Sequence, residues 1–330
     1  MNEEANTPVI EGLVCAYDLD GFGGASPLAW DALGGATPDG RVRWIHLDFT
    51  HTRARQWLRT ESGIPDTVVE AMLEEDIRPR SLQHGNGVLT ILRGVNMNAG
   101  SPVEDMVSIR LWLEPGRIIS TRRRRLKAVR RIRAELADGK GPTGPADFLL
   151  TLLDYLGERI GEVVDTIDES IESAELAMEA SRAKTYRGEF GQLRRKTALI
   201  RRYLAPQREA LDRLSRMQSP LFEPHDSIAL MEATNQMTLL VEDLDLARER
   251  AMVAQEEILS VLATEQNTKM YLLSLVAAVF LPLSFLTGLM GMNVAGLPGT
   301  ENPASFTILA VVMVAIGVGI LWLFRLKKWL

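Results

Sequence analysis

The sequence predicts an α/β domain, then long α-helices, then two transmembrane helices at the C-terminal end. Three observations support this: short runs rich in β-branched residues before residue 120, a helical pattern from Phe148 onward, and uncharged stretches at 271–290 and 304–324. A spanning helix needs about 20 apolar residues, and both stretches reach that length. The alternative, two core helices of a large soluble domain, is hard to arrange at the very end of the chain.

Residues 1–147 form the predicted α/β domain, which contains a mixed sheet and ends at the Gly/Pro-rich segment "GKGPTGPAD". Two helices are predicted between the strands, "TRARQWLRTES" and "PDTVVEAMLEED", the second opening at Pro65. The predicted strands are bounded by Gly, Pro or Asp and read "PVIEGLVCAYDLD", "RVRWIHLDFT", "GVLTILRGVNM", "MVSIRLWLEP" and "RIISTRR".

Composition excludes several classes of protein. The single cysteine, Cys15, rules out a disulfide framework and a Cys-based zinc finger within one chain. The acidic, polar start predicts no cleavable signal peptide. A net charge of −6 argues against nucleic acid as a general partner. The chain has no P-loop, dinucleotide-binding glycine turn or His-Glu-x-x-His motif, so we expect neither an enzyme nor a bound cofactor.

Two oppositely charged segments predict a helical hairpin over residues 148–225. Residues 154–179 carry nine carboxylates and one base, whereas residues 182–216 carry eleven bases and three acids. An acidic and a basic helix would attract each other in an antiparallel pair. The basic run at residues 122–133, which lacks interleaved aromatic residues, is expected to pack on acidic helices or to be solvated, in preference to binding nucleic acid or anionic lipid.

Residues 226–290 predict one stalk helix that continues into the first transmembrane helix at about 270–290. Residues 226–268 contain no Pro or Gly, and 65 helical residues would extend about 100 Å. The part before the membrane is acidic and should attract cations. The stalk acids expected to do so are Glu242, Asp243, Asp245, Glu249, Glu256, Glu257 and Glu265.

Flanking charges predict how the two spans are oriented. Residues 291–303 form a short loop with one charge, residues 304–324 form the second transmembrane helix, and residues 325–330 form a basic tail. Because cationic flanks stay in the cytoplasm, both termini and the α/β domain are predicted to be cytoplasmic and the loop periplasmic.

Two helices cannot enclose an aqueous path, so ion transport would require a ring of several copies. The second span is apolar all round and suits lipid, whereas the first carries Ser274, Ser284 and Pro282 and better suits a pore wall. At its outer end, glycine would let backbones approach while the Asn293 amides converge. Amide oxygens would accept hydrogen bonds from the water shell of a cation, which suits hard divalent ions that dehydrate reluctantly.

The stretch "FLPLSFLTGLMGMN", the second span and the terminal "KKWL" resemble the CorA family of metal ion transporters. The resemblance implies a homopentamer in the inner membrane, with a cytoplasmic funnel and a central pore. It implies a selectivity filter of Gly291, Met292 and Asn293, a gate at Met270 and Leu273, and a basic collar of Arg325, Lys327 and Lys328. The path-lining positions would be Met270, Leu273, Ala277, Leu281, Ser284 and Gly288.

The loop sequence bears on the transported ion. Magnesium-type members follow the signature with an aromatic residue and Met-Pro-Glu-Leu, whereas this chain has "VAGLPGTENPAS", which resembles the ZntB zinc branch. Zn²⁺ is therefore the expected cargo, and a CorA-type channel for Mg²⁺, Co²⁺ or Ni²⁺ is the alternative. From another class, a membrane-tethered scaffold or sensor without transport is also consistent with two spans.

One further pair could bind metal. His46 and Asp48 lie on one face of a predicted strand, and both residue types are zinc ligands. The competing interpretation is a strand edge near the surface.

Overall fold

The computed structural model describes residues 11–38, 40–180, 187–292, 297, 299 and 302–327. The chain divides into two compact units, Met1–Gln255 and Glu256–Leu330. The strands are β1 (Leu13–Leu19), β2 (Ala25–Pro27), β3 (Val42–Asp48), β4 (Arg80–His84), β5 (Gly87–Gly94), β6 (Val107–Glu114) and β7 (Arg117–Arg122). The helices are α1 (Thr52–Thr60), α2 (Asp66–Leu73), α3 (Lys127–Ala137), α4 (Pro145–Ala180), α5 (Arg187–Ser215), α6 (Pro224–Met290) and α7 (Ser305–Leu326).

The first unit contains the mixed sheet that the sequence predicts. Its seven strands lie in the order β2-β1-β3-β7-β6-β5-β4. The β3–β7 pair is parallel, whereas the other neighbouring pairs are antiparallel. Five strands match the predicted segments, and the short strands β2 and β4 at the two edges are additional. β4 carries four exposed residues out of five, so its pattern is too polar to predict a strand.

Helices cover both faces of the sheet. On one face Ile45, Leu47 and Ile119 pack in a buried cluster with Trp57 of α1 and Met72 of α2. The alternating residues of β3 point to the other face, because successive side chains of a strand lie on opposite sides. The inner strands β5 and β6 are therefore buried along nearly their whole length, including their polar residues Thr90, Ser108 and Arg110.

The second face of the sheet is closed by α4. Phe148 at its start is fully buried, and its ring centroid lies 4.8 Å from that of Trp44 on β3. At the next turns Leu152 and Leu156 are also buried. Gly94 makes room for this helix, since a Cβ there would stand 2.6 Å from a methyl carbon of Leu156. An apolar stripe at the start of α4 thus joins the sheet to the long helices.

The ion pairs of the acidic helix α4 and the basic helix α5 differ from those that the sequence predicts. Among described side chains, the recorded ion pairs of α4 and α5 with other long helices go to α6 and not to each other. Arg250 of α6 binds Asp168 and Glu175 of α4, the latter at 2.7 Å, and Arg201 of α5 pairs with Asp245 of α6. These ion pairs therefore run through the stalk helix, although α4 and α5 also contact each other directly. The basic run does reach the acidic helix at one point, where Arg131 pairs with Glu158.

Candidate transport site

Within the described part of the chain, two helices are long and apolar enough to cross a membrane, α6 and α7. Neither apolar segment is buried within the chain. An exposed apolar helix is unfavourable in water and favourable in lipid. This distinguishes both segments from the core helices of a soluble domain.

The second unit leaves one side of the first span open. Residues Leu275, Val279, Leu283 and Leu286 of α6 are half-buried, while the residues between them are exposed. On α7 the half-buried or buried residues also follow one face, with Leu309, Met313, Ile316, Ile320 and Phe324 three or four apart. Each helix thus has a single covered side.

The predicted path-lining residues lie on the opposite side of α6 from its covered face. At about 100° per residue, positions 275, 279, 283 and 286 cluster within about 80° of one another, and positions 270, 273, 277, 281, 284 and 288 cluster about 180° away. All six predicted residues are exposed. Leu273 and Leu281 are among the most exposed aliphatic residues of the helix, at 66 % and 68 %.

Two hydroxyl groups of the first span are satisfied within the helix. Ser274 Oγ donates to the carbonyl of Met270 at 2.9 Å, and Thr287 Oγ1 donates to the carbonyls of Leu283 and Ser284. Such bonds allow hydroxyl side chains in lipid without an unpaired donor. Pro282 has no N–H, so the carbonyl of Ala278 loses the donor that a helix normally supplies four residues on.

The predicted filter begins where α6 ends. Gly291 donates to the carbonyl of Thr287 at 2.9 Å as the last turn closes, and Met292 is exposed. Asn293, the predicted filter amide, lies outside the described residues. The far end of the loop is built locally: Gly299 has a φ of 91°, and a Cβ there would meet Ser305 Oγ at 2.9 Å. Asn302 Oδ1 then accepts from the amide of Ala304 at 2.9 Å, in the turn that precedes α7.

The stalk acids differ in their surroundings. In the first unit Asp245 is half-buried beside Arg201, so its charge is largely compensated. Glu242, Asp243 and Glu249 are exposed on the same helix. In the second unit Glu256, Glu257 and Glu265 are exposed as well. The predicted acidic character of the stalk surface is therefore carried mainly by residues other than Asp245.

The exposed side of the stalk also carries aliphatic residues that we did not single out from the sequence. Leu239, Leu246 and Val253 follow one another at intervals of seven and are 59 %, 57 % and 59 % exposed. A seven-residue repeat of exposed aliphatic side chains is the pattern of a helix that contacts other helices. The repeat could have been found from the spacing alone.

At the end of α7, Arg325 and Lys327 of the predicted collar lie in the described part of the chain, and both are exposed. Lys327 follows the last turn of the helix. Cations at a helix C-terminus are stabilised by the partial negative charge of the last carbonyls. Lys328 lies outside the described residues.

The pair His46 and Asp48 was expected either to bind metal or to lie at a strand edge near the surface. His46 is fully buried, with Nδ1 2.7 Å from Ser120 Oγ on β7, so the surface interpretation is wrong for this residue. Burial holds the pKa of His46 well below its ordinary value, with Arg122 and Arg133 adding to the effect. Asp48 lies 3.8 Å from Arg122. Among the described residues, no set of three or more His, Cys, Asp and Glu side chains could hold a metal ion.

The fold and the two spans define a membrane protein that attaches a large α/β unit to a short transmembrane hairpin. The family model described as "CorA-like Mg2+ transporter protein" matches residues 39–328. The chain therefore belongs to the CorA family of metal ion transporters.

Three similar proteins place the chain within that family. The zinc transport protein ZntB of Pectobacterium carotovorum is 34 % identical and covers 97 % of this chain and 96 % of its own. The divalent cation transporter CmaX of Pseudomonas aeruginosa is 36 % identical, with 97 % of each chain covered. The structure of full-length CmaX has a TM-score of 0.87 and 35 % identity, covering 98 % of this chain and 100 % of the other.

Proposed function

We propose that this protein moves Zn²⁺ across the inner membrane through the central pore of a homopentamer. The observation that carries the proposal is the open side of the first span, where six predicted path-lining residues lie opposite the covered face. In a ring of copies this side would face the axis and α7 would face lipid. Both termini and the α/β unit would then be cytoplasmic, as the cationic flank at Arg325 and Lys327 favours.

An exposed aliphatic stripe on the stalk helix supports the ring. Leu239, Leu246 and Val253 expose an aliphatic stripe that a single chain leaves in water. Glu242 and Glu249 lie between them on the same side of the helix. Copies that met along this stripe would bury the aliphatic groups and bring several carboxylates together. A concentration of negative charge would raise the local concentration of divalent cations.

In the proposed path, the Asn293 amides admit a hydrated cation at the outer mouth, and Gly291 allows the backbones to come close. Met270 and Leu273 form the gate farther along the first span. A ring of apolar side chains can stop ions by excluding water, and it conducts when it widens enough to hydrate. No carboxylate is needed within the span itself, which has none.

Zn²⁺ is favoured over Mg²⁺ by the loop sequence after the signature and by the likeness to ZntB over nearly the whole chain. The description of the matching family model favours Mg²⁺, which remains the second candidate cargo.

The test is ion flux into liposomes that contain the purified protein, with Zn²⁺ and Mg²⁺ measured in parallel. Asn293→Ala should abolish flux while the oligomer stays assembled. Asn302→Ser is the matched control, because this side-chain amide lies in the same loop but accepts from the Ala304 N–H, a bond that a serine hydroxyl can also make. Mg²⁺ flux with little Zn²⁺ flux would assign the second cargo. Flux of neither ion from an assembled oligomer would favour a tethered scaffold or sensor.

A further inference from the structure

A cavity of about 320 Å³ opens on the α/β unit beside the end of α2, away from the membrane spans. Its lining consists of three arginines, one acid and two neutral residues: Arg93, Arg123, Arg124, Glu75, Val107 and Ser108. The lining side chains therefore carry two more positive than negative charges. Such an excess in a recess attracts anions, because the low-dielectric walls concentrate the field.

The wall at Arg93 is rigid and desolvated. Arg93 is 5 % exposed, and its terminal nitrogens donate to the carbonyls of Met106 and Ile77 at 2.9 and 2.8 Å. The ring of Tyr203 on α5 lies 4.2 Å from the guanidinium carbon. Its carboxylate partner, Asp76, lies 3.4 Å away and is 79 % exposed, so water solvates the carboxylate but not the guanidinium. Neutral carbonyls thus hold most of this charge without cancelling it.

A second buried cation stands behind Ser108. Arg110 is fully buried and donates from Nη1 to Ser108 Oγ at 2.8 Å. Its other recorded acceptors are the backbone carbonyls of Glu74 and Glu75. Burial lowers the pKa of Arg110 to about 10, and the neighbouring Arg93 adds to this effect because the two cations repel each other. Because Ser108 Oγ accepts from Arg110, its own hydrogen is available to donate into the cavity.

At the mouth of the cavity, Arg123 and Arg124 are each paired with a carboxylate of the chain. Arg123 Nη1 lies 3.0 Å from Glu75 Oε2, and both side chains are about half exposed. Arg124 is held by both carboxylate oxygens of Asp105. Arg123 is therefore the arginine most accessible to a ligand, since the ligand need only displace one exposed carboxylate to reach it. Exposed pairs of this kind contribute little to stability and are readily exchanged.

We propose that this cavity binds a phosphate group, either as free phosphate or as a small monoester. Arg123 would turn from Glu75 to bind the phosphate oxygens, Ser108 would donate its hydroxyl hydrogen, and Arg93, with the buried Arg110 behind Ser108, would supply most of the positive field. Guanidinium groups match phosphate oxygens in geometry and bind them through charge-assisted hydrogen bonds. The site is built from strands β5 and β6 and from the segments that follow α2 and β7 in the α/β unit, and it does not depend on the transport path.

The experiment is equilibrium dialysis of the full-length protein in detergent against radiolabelled inorganic phosphate, at ionic strength fixed with sodium chloride. Wild type should bind saturably. Arg123→Gln should weaken binding by about tenfold or more, as expected for one charge-assisted contact. Arg59→Gln should leave it unchanged. Arg59 is a close match, since it is 54 % exposed against 53 % for Arg123 and also lies 3.0 Å from a glutamate, Glu70.

The most stringent part of the experiment is a variant that should bind phosphate more tightly than wild type. Glu75→Gln removes the competing carboxylate and should tighten phosphate binding by about three- to tenfold. Partial unfolding cannot produce that result. Glycerol phosphate and a nucleoside monophosphate added as competitors then decide between free phosphate and an ester. Absence of saturable binding, equal weakening by Arg123→Gln and Arg59→Gln, or weaker binding by Glu75→Gln would each overturn the proposal.

Discussion

Arg43 and Asp18 form a two-pronged ion pair inside the α/β unit. Arg43 Nε donates to Asp18 Oδ1 at 2.8 Å and Nη2 donates to Oδ2 at 3.0 Å, with side-chain exposures of 5 % and 6 %. The remaining guanidinium nitrogen donates to backbone carbonyls of the loop before β3, including that of Gly35 at 2.6 Å. One side chain therefore neutralises a buried carboxylate and holds a loop against the sheet.

The first prediction follows from this pair. Arg43→Met should destabilise the protein by about 3–5 kcal/mol, because it leaves the Asp18 carboxylate buried without a partner. Thermal unfolding of the detergent-solubilised protein measures the effect. Arg59→Met breaks an exposed pair with Glu70 and should change stability by less than about 1 kcal/mol. Equal effects of the two variants would contradict the assignment.

The second prediction concerns pH. His46 is buried with a pKa well below its ordinary value of 6.5, so the unfolded chain binds a proton there that the folded chain does not. Above pH 6.5 the imidazole is neutral in both states and does not oppose folding. As the pH falls below 6.5, protonation of the unfolded chain lowers the free energy of unfolding by at most about 1.4 kcal/mol per pH unit.

His46→Gln should therefore flatten the dependence of unfolding temperature on pH between 7 and 5, even if it lowers the temperature at pH 7. His225→Gln is the control, since that side chain is 75 % exposed. A variant at position 46 that keeps the wild-type slope would show that the acid sensitivity arises elsewhere.

The third prediction tests the gate. Leu273→Ala should increase ion leak through liposome-reconstituted protein, because a smaller apolar side chain widens and hydrates the constriction. Leu275→Ala removes the same atoms from the covered face and should lower stability with little effect on flux. The ratio of leak between these variants is the measurement. If Leu275→Ala leaked more, the path would lie on the other side of α6.

The fourth prediction tests the stalk contact. Leu246→Asp should weaken the oligomer, since it places a charge in the proposed aliphatic stripe, and native mass spectrometry would then detect smaller species. Arg248→Asp alters an exposed residue about 200° round the same helix and should leave the oligomer intact. Disassembly by both variants, or by neither, would place the contact elsewhere.

The long helices and the spans could be predicted from the sequence because their signals are local. Hydropathy and length define a membrane helix residue by residue, and the absence of Pro and Gly over residues 226–268 predicts an uninterrupted stalk. Five strands were predictable for the same reason, since β-branched runs between turn residues need no distant partner. The side of α6 that we propose lines a path could also be predicted, because helical periodicity and the family resemblance both indicate it.

What the tertiary structure decided is which distant residues meet. The parallel pairing of β3 with β7 brings His46 to Ser120 and buries it, although the local pattern is equally typical of a surface strand. The acidic and basic helices both bind α6, because packing sets which helices are neighbours before their charges can pair. Arg43 finds Asp18, and three arginines line one cavity, for the same reason. Local propensity fixes the long helices, the spans and five of the strands, whereas long-range pairing, which no local signal encodes, fixes the edge strands β2 and β4 and the charged and buried contacts.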